Sequence, residues 1–289
     1  MVKLKQKLFQ KNQLKILSSF LLIYILTSCV LSVKSYVNCQ FPSHSPFPGG
    51  LVNYKVDLLS FDYDSKNTST DDQLLCIESS NQLRIIKPIP LSYKDKTIRV
   101  KINFDSYKDF LITPKEYRIS KIEITNNDFN APSKDNLIRA SKERALISEI
   151  INYNSSNVFF SDLRMRLPVE GIISSEFGVR RYINGTPRSN HLGTDIVADT
   201  GTAIKAPMAG KVLLIGNFFY RGKVIFIDHG QGLISSYSHL NKINVRKNQK
   251  VIPGTTLGEV GQTGRVTGPH LHWQIYLKGT SIDPEIFLL

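Results

Sequence analysis

Residues 268–277 have the sequence GPHLHWQIYL, a glycine-proline turn followed by a run of aromatic and β-branched side chains. Such a run, entered from a glycine-rich turn, predicts a β-strand. Side chains alternate between the two faces of a strand, so His270 and His272 project to one side and Leu271 to the other. Two imidazoles on one rigid face can serve one site, although a His-x-His pair alone is a weak indication of one.

A second segment, residues 191–195 with the sequence HLGTD, offers further ligands. Gly193 and the apolar residues after Asp195 favour a loop that enters a strand over a helix. Zinc accepts histidine and aspartate, so His191, Asp195 and His272 can form a set of three ligands. Three protein ligands leave one position open, and a water bound there becomes a usable nucleophile near neutral pH.

A third segment, residues 233–240 with the sequence LISSYSHL, is a β-prone run that ends near a histidine. Side-chain alternation predicts that Tyr237 and His239 share one face of this strand. Once the metal is ligated, His239 and His270 remain as two further histidines. An imidazole titrates near neutral pH, so this pair suits proton transfer from water and stabilisation of an oxyanion.

Together these segments resemble the lysostaphin/LytM-type zinc metallopeptidases of bacterial cell walls. The matching blocks occur in the family's order and spacing across residues 165–289. They are Phe177-Gly178-x-Arg180, His191-x-Gly193-x-Asp195-Ile196, Ala206-Pro207-x-Ala209-Gly210-x-Val212, Tyr237-x-His239-Leu240 and Gly261-x-Thr263-Gly264-x-x-x-Gly268-Pro269-His270-Leu271-His272.

The resemblance implies that His191, Asp195 and His272 bind zinc, one ion per chain. It also implies that His239 and His270 flank the water and the scissile carbonyl. All five residues match the family pattern, whereas inactive relatives lose one or more of them. The implied function is a zinc metalloendopeptidase that hydrolyses peptide bonds in peptidoglycan stems or cross-links during cell-wall remodelling.

Two other functions compete with this one. A catalytically silent LytM-type domain would activate or recruit another wall hydrolase, but its distinguishing feature is the loss of ligands or catalytic histidines. A purely structural envelope protein would make the five-residue pattern a coincidence.

Candidate substrate contacts are Tyr237, expected on the histidine face of its strand, and the arginines Arg180 and Arg188, which precede the first ligand. Surface arginines without a special role are the ordinary alternative. His229 follows a predicted strand at a glycine-flanked turn, so we expect a structural role for it.

Glycines divide the chain into two parts, because 16 of the 18 lie between Gly171 and Gly279, interleaved with short β-prone runs. Many short strands joined by glycine turns predict an antiparallel β domain whose two sheets hold the ligands beside a groove. Apolar and polar residues alternate over 98–104, which predicts a half-buried strand. With similar runs near 54–58 and 117–124, this predicts a small all-β domain, a sandwich.

Residues 133–153 change to a helical period, and Ser133 or Asp135 can serve as the N-cap. The predicted fold class is therefore mainly β: a C-terminal antiparallel β-sheet LytM-type peptidase domain, preceded by a small all-β domain and a connecting helix. The predicted boundaries are a signal peptide, lipoprotein signal or membrane anchor at 1–33, a linker at 34–47, an N-terminal β domain at 48–126, a helical linker at 127–160 and the zinc peptidase domain at 161–289.

Residues 48–50 and 110–117 resemble the N-terminal domain that precedes the peptidase in some Gram-negative members of the family. That resemblance leaves open autoinhibition by this domain. His44, in a proline-flanked link, can cap the zinc in a latent form or simply be solvated. Cys39 and Cys76 can pair in an oxidising compartment or remain free thiols.

The net charge of +13 favours anionic partners, and five lysines within residues 1–15 contribute to it. No motif for nucleic-acid readout stands out, so the expected partners are peptidoglycan and, through the N-terminal segment, a membrane. A solubilising basic surface is the alternative.

The apolar stretch at residues 16–26 has the length of a signal peptide and falls short of the roughly 20 residues that span a membrane. It predicts export to the periplasm or cell envelope, with secretion after signal cleavage. Continuation through Val33 would instead make an uncleaved anchor with a cytoplasmic N-terminus. The sequence LTSC at residues 26–29 resembles a lipoprotein box, which would lipidate Cys29.

Overall fold

A computed structural model describes residues 37–57, 72–102, 106–123 and 132–288. The predicted signal peptide, anchor or lipoprotein segment, with Cys29, lies outside the described residues. Within them, no helix is both long enough and apolar enough to cross a membrane.

The N-terminal strands form two small antiparallel layers around one apolar core. A three-stranded sheet has the order β1-β3-β2, and a hairpin pairs β4 with β5. These strands are β1 (Leu51–Asp57), β2 (Leu74–Ser79), β3 (Gln82–Pro88), β4 (Thr97–Lys101) and β5 (Tyr107–Leu111). Val52, Ile85 and Ile98 are buried in the core that the two layers share, as expected for the predicted sandwich.

The segment before β1 is packed against these strands. Cys39 is fully buried and forms a disulfide with Cys76 of β2, so the structure pairs the two cysteines. The Nδ1 atom of His44 accepts from the Asn53 backbone N–H at 3.3 Å, and the His44 ring lies 5.5 Å from that of Phe110. The latent role for His44 is therefore wrong, because its contacts are with the N-terminal strands.

Strand β6 (Ile119–Ile122) precedes a helix, α1 (Lys134–Ile151). The Ser133 side chain caps α1 by accepting from the Asn136 N–H, as predicted. Ile147 and Ile150 pack on the apolar cluster of the large sheet described below, but Leu137 is 52% exposed. The helix is thus packed at Ala140, which is buried, and at Ile147 and Ile150, whereas Leu137 near its N-terminal end faces solvent.

The remaining strands confirm a mainly antiparallel C-terminal domain. They are β7 (Ile172–Ser175), β8 (Arg180–Ile183), β9 (Thr186–Pro187), β10 (Thr194–Val197), β11 (Ala203–Lys205), β12 (Gly210–Phe218), β13 (Gly222–Gly230), β14 (Leu233–Leu240), β15 (Lys242–Ile243), β16 (Lys250–Val251), β17 (Thr256–Glu259), β18 (His270–Leu277) and β19 (Thr280–Ile282). A short 3-10 helix, Pro284–Phe287, follows.

The large sheet has the order β16-β12-β13-β14-β18-β10-β7, with β19 paired to β18. Smaller sheets are formed by β11-β17-β15 and by β6-β8-β9. On β18, Leu271, Trp273 and Ile275 belong to the buried core, and the histidines alternate with them. One face of the sheet is therefore packed in this core. The histidines project from the other face, part of which, at Tyr276, is packed under α1.

The N-terminal part is joined to the peptidase part at β6, which pairs in parallel with β8. Tyr117, just before β6, packs on Gly178, just before β8. A Cβ added at Gly178 would lie 2.1 Å from the Tyr117 ring, and the φ of Gly178 is +83°. Only glycine fits this position without displacing the ring. The Gly178 N–H in turn donates to the carbonyl of His191 at 2.7 Å.

Candidate metal centre

Strand register brings two of the predicted ligands together. Asp195 on β10 is paired directly with His272 on β18, so the two side chains project from the same face of the sheet. His191 lies in the loop that enters β10, as the sequence predicted, and its backbone N–H donates to the Val179 carbonyl at 2.9 Å. The third candidate ligand is therefore held by backbone hydrogen bonds to the residues just before β8.

The three side chains converge on one point. His191 Nε2 and His272 Nδ1 lie 2.9 Å and 2.6 Å from Asp195 Oδ1, and the two nitrogens are 3.0 Å apart. All three candidate ligand atoms lie within 4.8 Å of one another. Two imidazole nitrogens and one carboxylate form a donor set that zinc accepts, so the residues present fit a zinc ion.

Hydrogen bonds fix the tautomer and orientation of the first ligand. His191 Nδ1–H donates to the Glu176 carbonyl at 2.9 Å, and the hydroxyl of Ser175 is 3.1 Å from the same nitrogen. A carbonyl can only accept, so the proton sits on Nδ1 and the Nε2 lone pair is left for a metal.

Asp195 is buried and held on both oxygens. Arg181 donates to Oδ2 at 2.5 Å, which leaves Oδ1 towards the two histidines. Burial opposes ionisation of this carboxyl, but its interactions with the adjacent rings of His191 and His272 outweigh burial and hold the pKa of Asp195 well below its usual range. The carboxylate is thus ready to bind a cation at neutral pH.

His239 and His270 lie beside the three ligands. The His239 ring centroid is 4.9 Å from that of His270 and 5.9 Å from that of His272. Each Nδ1–H donates to a carbonyl, His239 to Thr263 at 2.8 Å and His270 to Gly268 at 2.9 Å. The Nε2 atom of each is therefore the proton-accepting nitrogen, and His270 Nε2 lies 3.8 Å from Asp195 Oδ1.

Burial and the neighbouring His272 and His270 lower the pKa of His239 well below its ordinary value. Burial also lowers the pKa of His272 to about 4. Both rings are accordingly neutral at pH 7, which is the state required of a proton acceptor and of a metal ligand.

The prediction that Tyr237 faces the site is wrong. Tyr237 is fully buried in the core, and its hydroxyl lies 2.9 Å from Ser235 Oγ. His239 has a φ of +68°, in the left-handed region, which breaks the alternation at the end of β14. The His239 ring therefore turns to the ligand face while Tyr237 stays with the core.

A cleft of about 510 Å³ opens over the candidate ligands. Arg188 lines it, but Arg180 does not: Arg180 is exposed on the other side of β8, next to the cleft residue Arg181. The predicted contact at Arg180 is therefore wrong, whereas a substrate role for Arg188 stays a prediction. Arg265 and Gln274 also line the cleft, although neither was predicted as a site residue from the sequence. Gln274 follows the His270–His272 alternation, a signal that could have identified it.

Gln274 supports the loop that carries the first ligand. Its side-chain amide donates to the Leu192 carbonyl at 2.8 Å, and Arg221 donates to its Oε1 at 2.5 Å. Gly193 follows in this loop and lies so close to β18 that an added Cβ would be 2.5 Å from the Trp273 carbonyl oxygen. Backbone cannot rotate away as a side chain can, so the loop has no space for a larger residue.

Replacing Gly193 by alanine is therefore expected to shift this loop, reduce zinc content and destabilise the fold by about 1–3 kcal/mol. The matched control is Gly268→Ala, because Gly268 has nothing within 4 Å of an added Cβ and no positive φ. Metal analysis and thermal unfolding of both variants test this. Equal zinc content and equal melting temperature in the two variants would contradict it.

His229 has the structural role that was expected, and it is not part of the candidate metal site. It is fully buried, with Nδ1–H donating to the Ala209 carbonyl at 2.7 Å and Nε2 lying 2.7 Å from Ser235 Oγ. Burial lowers its pKa from an ordinary value of 6.5 to about 4.

Between pH 6.5 and 4 the unfolded chain protonates His229 and the folded chain does not, so this residue makes stability fall as the pH falls. Its contribution amounts to about 3 kcal/mol over that range. We expect metal-free His229→Gln, whose amide can replace both hydrogen bonds, to lose less stability between pH 7 and pH 4 than the metal-free wild-type protein. Urea unfolding at a series of pH values measures the difference. Parallel curves for the two proteins would refute it.

An aspartate and two histidines on neighbouring strand and loop positions, with two further imidazoles beside them, could hold a metal ion, an arrangement typical of metal-dependent hydrolases. Comparison with known proteins agrees with this class. Peptidase family M23 matches residues 189–284. The crystal structure of a peptidase M23 from Pseudomonas aeruginosa is 32% identical, covers 84% of this chain and 95% of that chain, and superposes with a TM-score of 0.66. The chain belongs to peptidase family M23.

Two curated relatives come from Vibrio cholerae. Peptidoglycan DD-endopeptidase ShyA is 40% identical over 121 residues, which are 41% of this chain and 28% of the relative. Peptidoglycan DD-endopeptidase ShyC is 32% identical over 163 residues, which are 53% of this chain and 37% of the relative. The chain thus matches well under half the length of either relative.

Proposed function

We propose that this chain is a zinc-dependent endopeptidase that hydrolyses peptide bonds in peptidoglycan stems or cross-links. The observation that carries the proposal is the convergence of His191, Asp195 and His272 on one point, with His239 and His270 beside it. The names of the two Vibrio relatives support peptidoglycan as the substrate.

The protein's contribution to the chemistry follows from its hydrogen bonds. Bound zinc supplies Lewis acidity, which lowers the pKa of a water and polarises the scissile carbonyl. Arg181 and the Glu176 carbonyl hold Asp195 and His191 in orientation, so the ligands need no rearrangement. This preorganisation is what a catalytic site requires of the residues behind its ligands.

His239 and His270 supply the proton transfers. Each has its Nδ1–H bound to a backbone carbonyl, so each can accept or donate a proton only through Nε2. A neutral imidazole takes a proton from the attacking water and returns it to the amine that leaves when the peptide bond breaks. When protonated or polarised, the other ring stabilises the negative charge that develops on the carbonyl oxygen.

Access to the cleft bears on the expected autoinhibition. Its lining residues lie between Arg144 and Gln274, and no described residue of 37–123 is among them. Pro90, Leu91 and Ser92 line a neighbouring pocket together with Asn190 and Leu192 of the cleft. Autoinhibition is not part of the proposal. A peptidoglycan substrate also places the enzyme in the cell envelope, in agreement with the predicted export. Membrane association through residues 1–33 stays a prediction.

Zinc content and hydrolysis measured on the same preparation test the proposal. We expect about one zinc per chain and new muropeptides released from cross-linked peptidoglycan, with release abolished by a chelator and restored by zinc. Zinc binding without release from any of several wall preparations would overturn the peptidase and favour the silent, hydrolase-activating alternative. Release that survives complete removal of the metal would overturn the zinc assignment.

A further inference from the structure

The charge of the cleft is unbalanced. Five arginines line it, whereas the only carboxylate among the described lining residues is Asp195, which belongs to the metal centre. The arginines are Arg144, Arg181, Arg188, Arg221 and Arg265. A concave surface with one sign of charge concentrates ligands of the opposite sign.

Two of these arginines already have partners that explain them. Arg181 donates to Asp195 and to the Ser175 hydroxyl. Arg221 donates to Gln274 and to the Tyr276 hydroxyl at 3.0 Å. Arg181 and Arg221 therefore hold residues that position the candidate ligands.

Of the other three, Arg144 is exposed on α1. Arg188 and Arg265 have no such partner, since neither forms an ion pair with a carboxylate among the described residues. Arg265 is nevertheless held in place. Its guanidinium lies 4.6 Å from the centroid of the Tyr220 ring, and its backbone N–H donates to the Tyr220 carbonyl at 3.0 Å. Stacking on an aromatic ring leaves the edge of the guanidinium, with its donors, free to bind a planar anion.

The surroundings of Arg265 are unfavourable for its positive charge unless an anion lies beside it. Burial lowers the pKa of Arg265, and the positive charges of Arg188 and Arg181 lower it further. An arginine stays charged in proteins. An anion that binds between these groups therefore offsets the cost of burying the charge and the repulsion between the arginines. A guanidinium binds a carboxylate through two parallel hydrogen bonds, and a carboxylate is the anion that a peptide substrate of the proposed function can supply.

The location relates this anion site to the reacting bond. Arg265 is two residues beyond Thr263, whose carbonyl holds the catalytic His239. Arg181, whose charge acts on Arg265, donates directly to the ligand Asp195. An anion bound by Arg265 therefore lies beside the metal centre and within the same cleft.

We propose that Arg265 and Arg188 form a carboxylate-binding subsite that selects peptides with a free carboxyl group next to the scissile bond. The inference rests on the proposed peptidase function and adds to it the chemistry of the substrate. Uncharged bridges, such as peptides without acidic groups near the cleaved amide, are poor substrates in this scheme because they leave both guanidiniums unpaired in the cleft.

Two synthetic peptides that differ in one group test the subsite. Both contain a scissile amide between D-residues, and the residue on its amine side has a free carboxyl group in one peptide and a carboxamide in the other. We expect the zinc-loaded wild-type protein to prefer the carboxylate in kcat/KM by about 10- to 100-fold, the range for hydrogen bonds to a charged group.

Arg265→Gln and Arg188→Gln should each reduce this preference several-fold, mainly by slowing hydrolysis of the carboxylate peptide. Arg246→Gln, an exposed arginine outside the cleft, is the charge-matched control and should keep the wild-type ratio. Arg265→Lys retains the charge without the planar fork, so its ratio should fall between those of wild type and Arg265→Gln. Zinc content and melting temperature identify any variant that does not fold.

A wild-type ratio near one, with both peptides hydrolysed, would overturn the subsite and leave the peptidase intact. Ratios that fall equally in Arg246→Gln and in the cleft variants would also overturn it, because net charge alone would then explain selectivity. If the wild-type protein hydrolyses neither peptide, release of muropeptides from cross-linked peptidoglycan still decides the proposed function. Calorimetric binding of both peptides to the zinc-loaded wild-type protein then decides the subsite by itself: tighter binding of the carboxylate supports it, and equal binding overturns it.

Discussion

Asp195→Ala is expected to lose zinc and, with it, essentially all peptidoglycan hydrolysis. Its carboxylate is the only anion of the donor set, and Oδ1 lies within 3 Å of the candidate ligand atoms of His191 and His272. Loss of a residue that merely orients a ligand already weakens metal binding about 10- to 100-fold. Loss of a ligand should weaken it by more, so the purified variant should contain little zinc.

Metal analysis, chelator competition and muropeptide release measure this on Asp195→Ala and on a control, Asp199→Ala. Asp199 is exposed, four residues along the chain and outside the cleft, so its substitution removes the same charge without touching the site. Wild-type zinc content and wild-type hydrolysis in Asp195→Ala would rule out the assigned metal centre.

His239→Ala should keep its zinc but hydrolyse substrate about 10²- to 10³-fold more slowly, the loss typical of one proton-transfer or oxyanion-stabilising group. The reason is that Nε2 is the only ring nitrogen left free by the bond to Thr263, and it is not one of the ligand atoms. The decrease should appear in kcat with little change in KM, since the interaction forms in the transition state.

His44→Gln is the matched control for this variant, because the contacts of His44 within the described part of the chain are with Asn53 and Phe110 of the N-terminal strands. Its rate should equal that of the wild-type protein. Loss of zinc from His239→Ala would show instead that this histidine belongs to the metal's own ligand set, and an unchanged kcat would exclude it from catalysis.

The grouping of His191, Asp195 and His272 could be predicted because the motifs that contain them alternate as strands do and resemble those of a known family. His270 and His272 lie two residues apart on β18, and antiparallel register places Asp195 opposite the second of them. The alternation rule that identifies such pairs fails at the end of β14, where the positive φ of His239 reverses the face. A backbone torsion of this kind leaves no mark in the pattern of apolar residues, so the position of Tyr237 could not be predicted.

Contacts between distant segments were also beyond the sequence. The parallel pairing of β6 with β8 joins residues about sixty positions apart. The sequence of neither strand indicates which other strand it pairs with. The arginines of the cleft are similarly scattered along the chain, from Arg144 on α1 to Arg265 before β18. The sequence shows that the protein is basic, whereas only the fold shows that these arginines line one cleft.

The packing of Tyr117 on Gly178 has a consequence for how this protein can vary. A side chain at position 178 would collide with the Tyr117 ring, and a smaller residue at 117 would leave a gap behind the backbone that hydrogen-bonds His191. Residues 117 and 178 must therefore change together if the packing between the two parts of the chain is to be kept. A chimera that joins this catalytic half to another N-terminal half must bring an aromatic ring to the same place, or the first metal ligand loses its support.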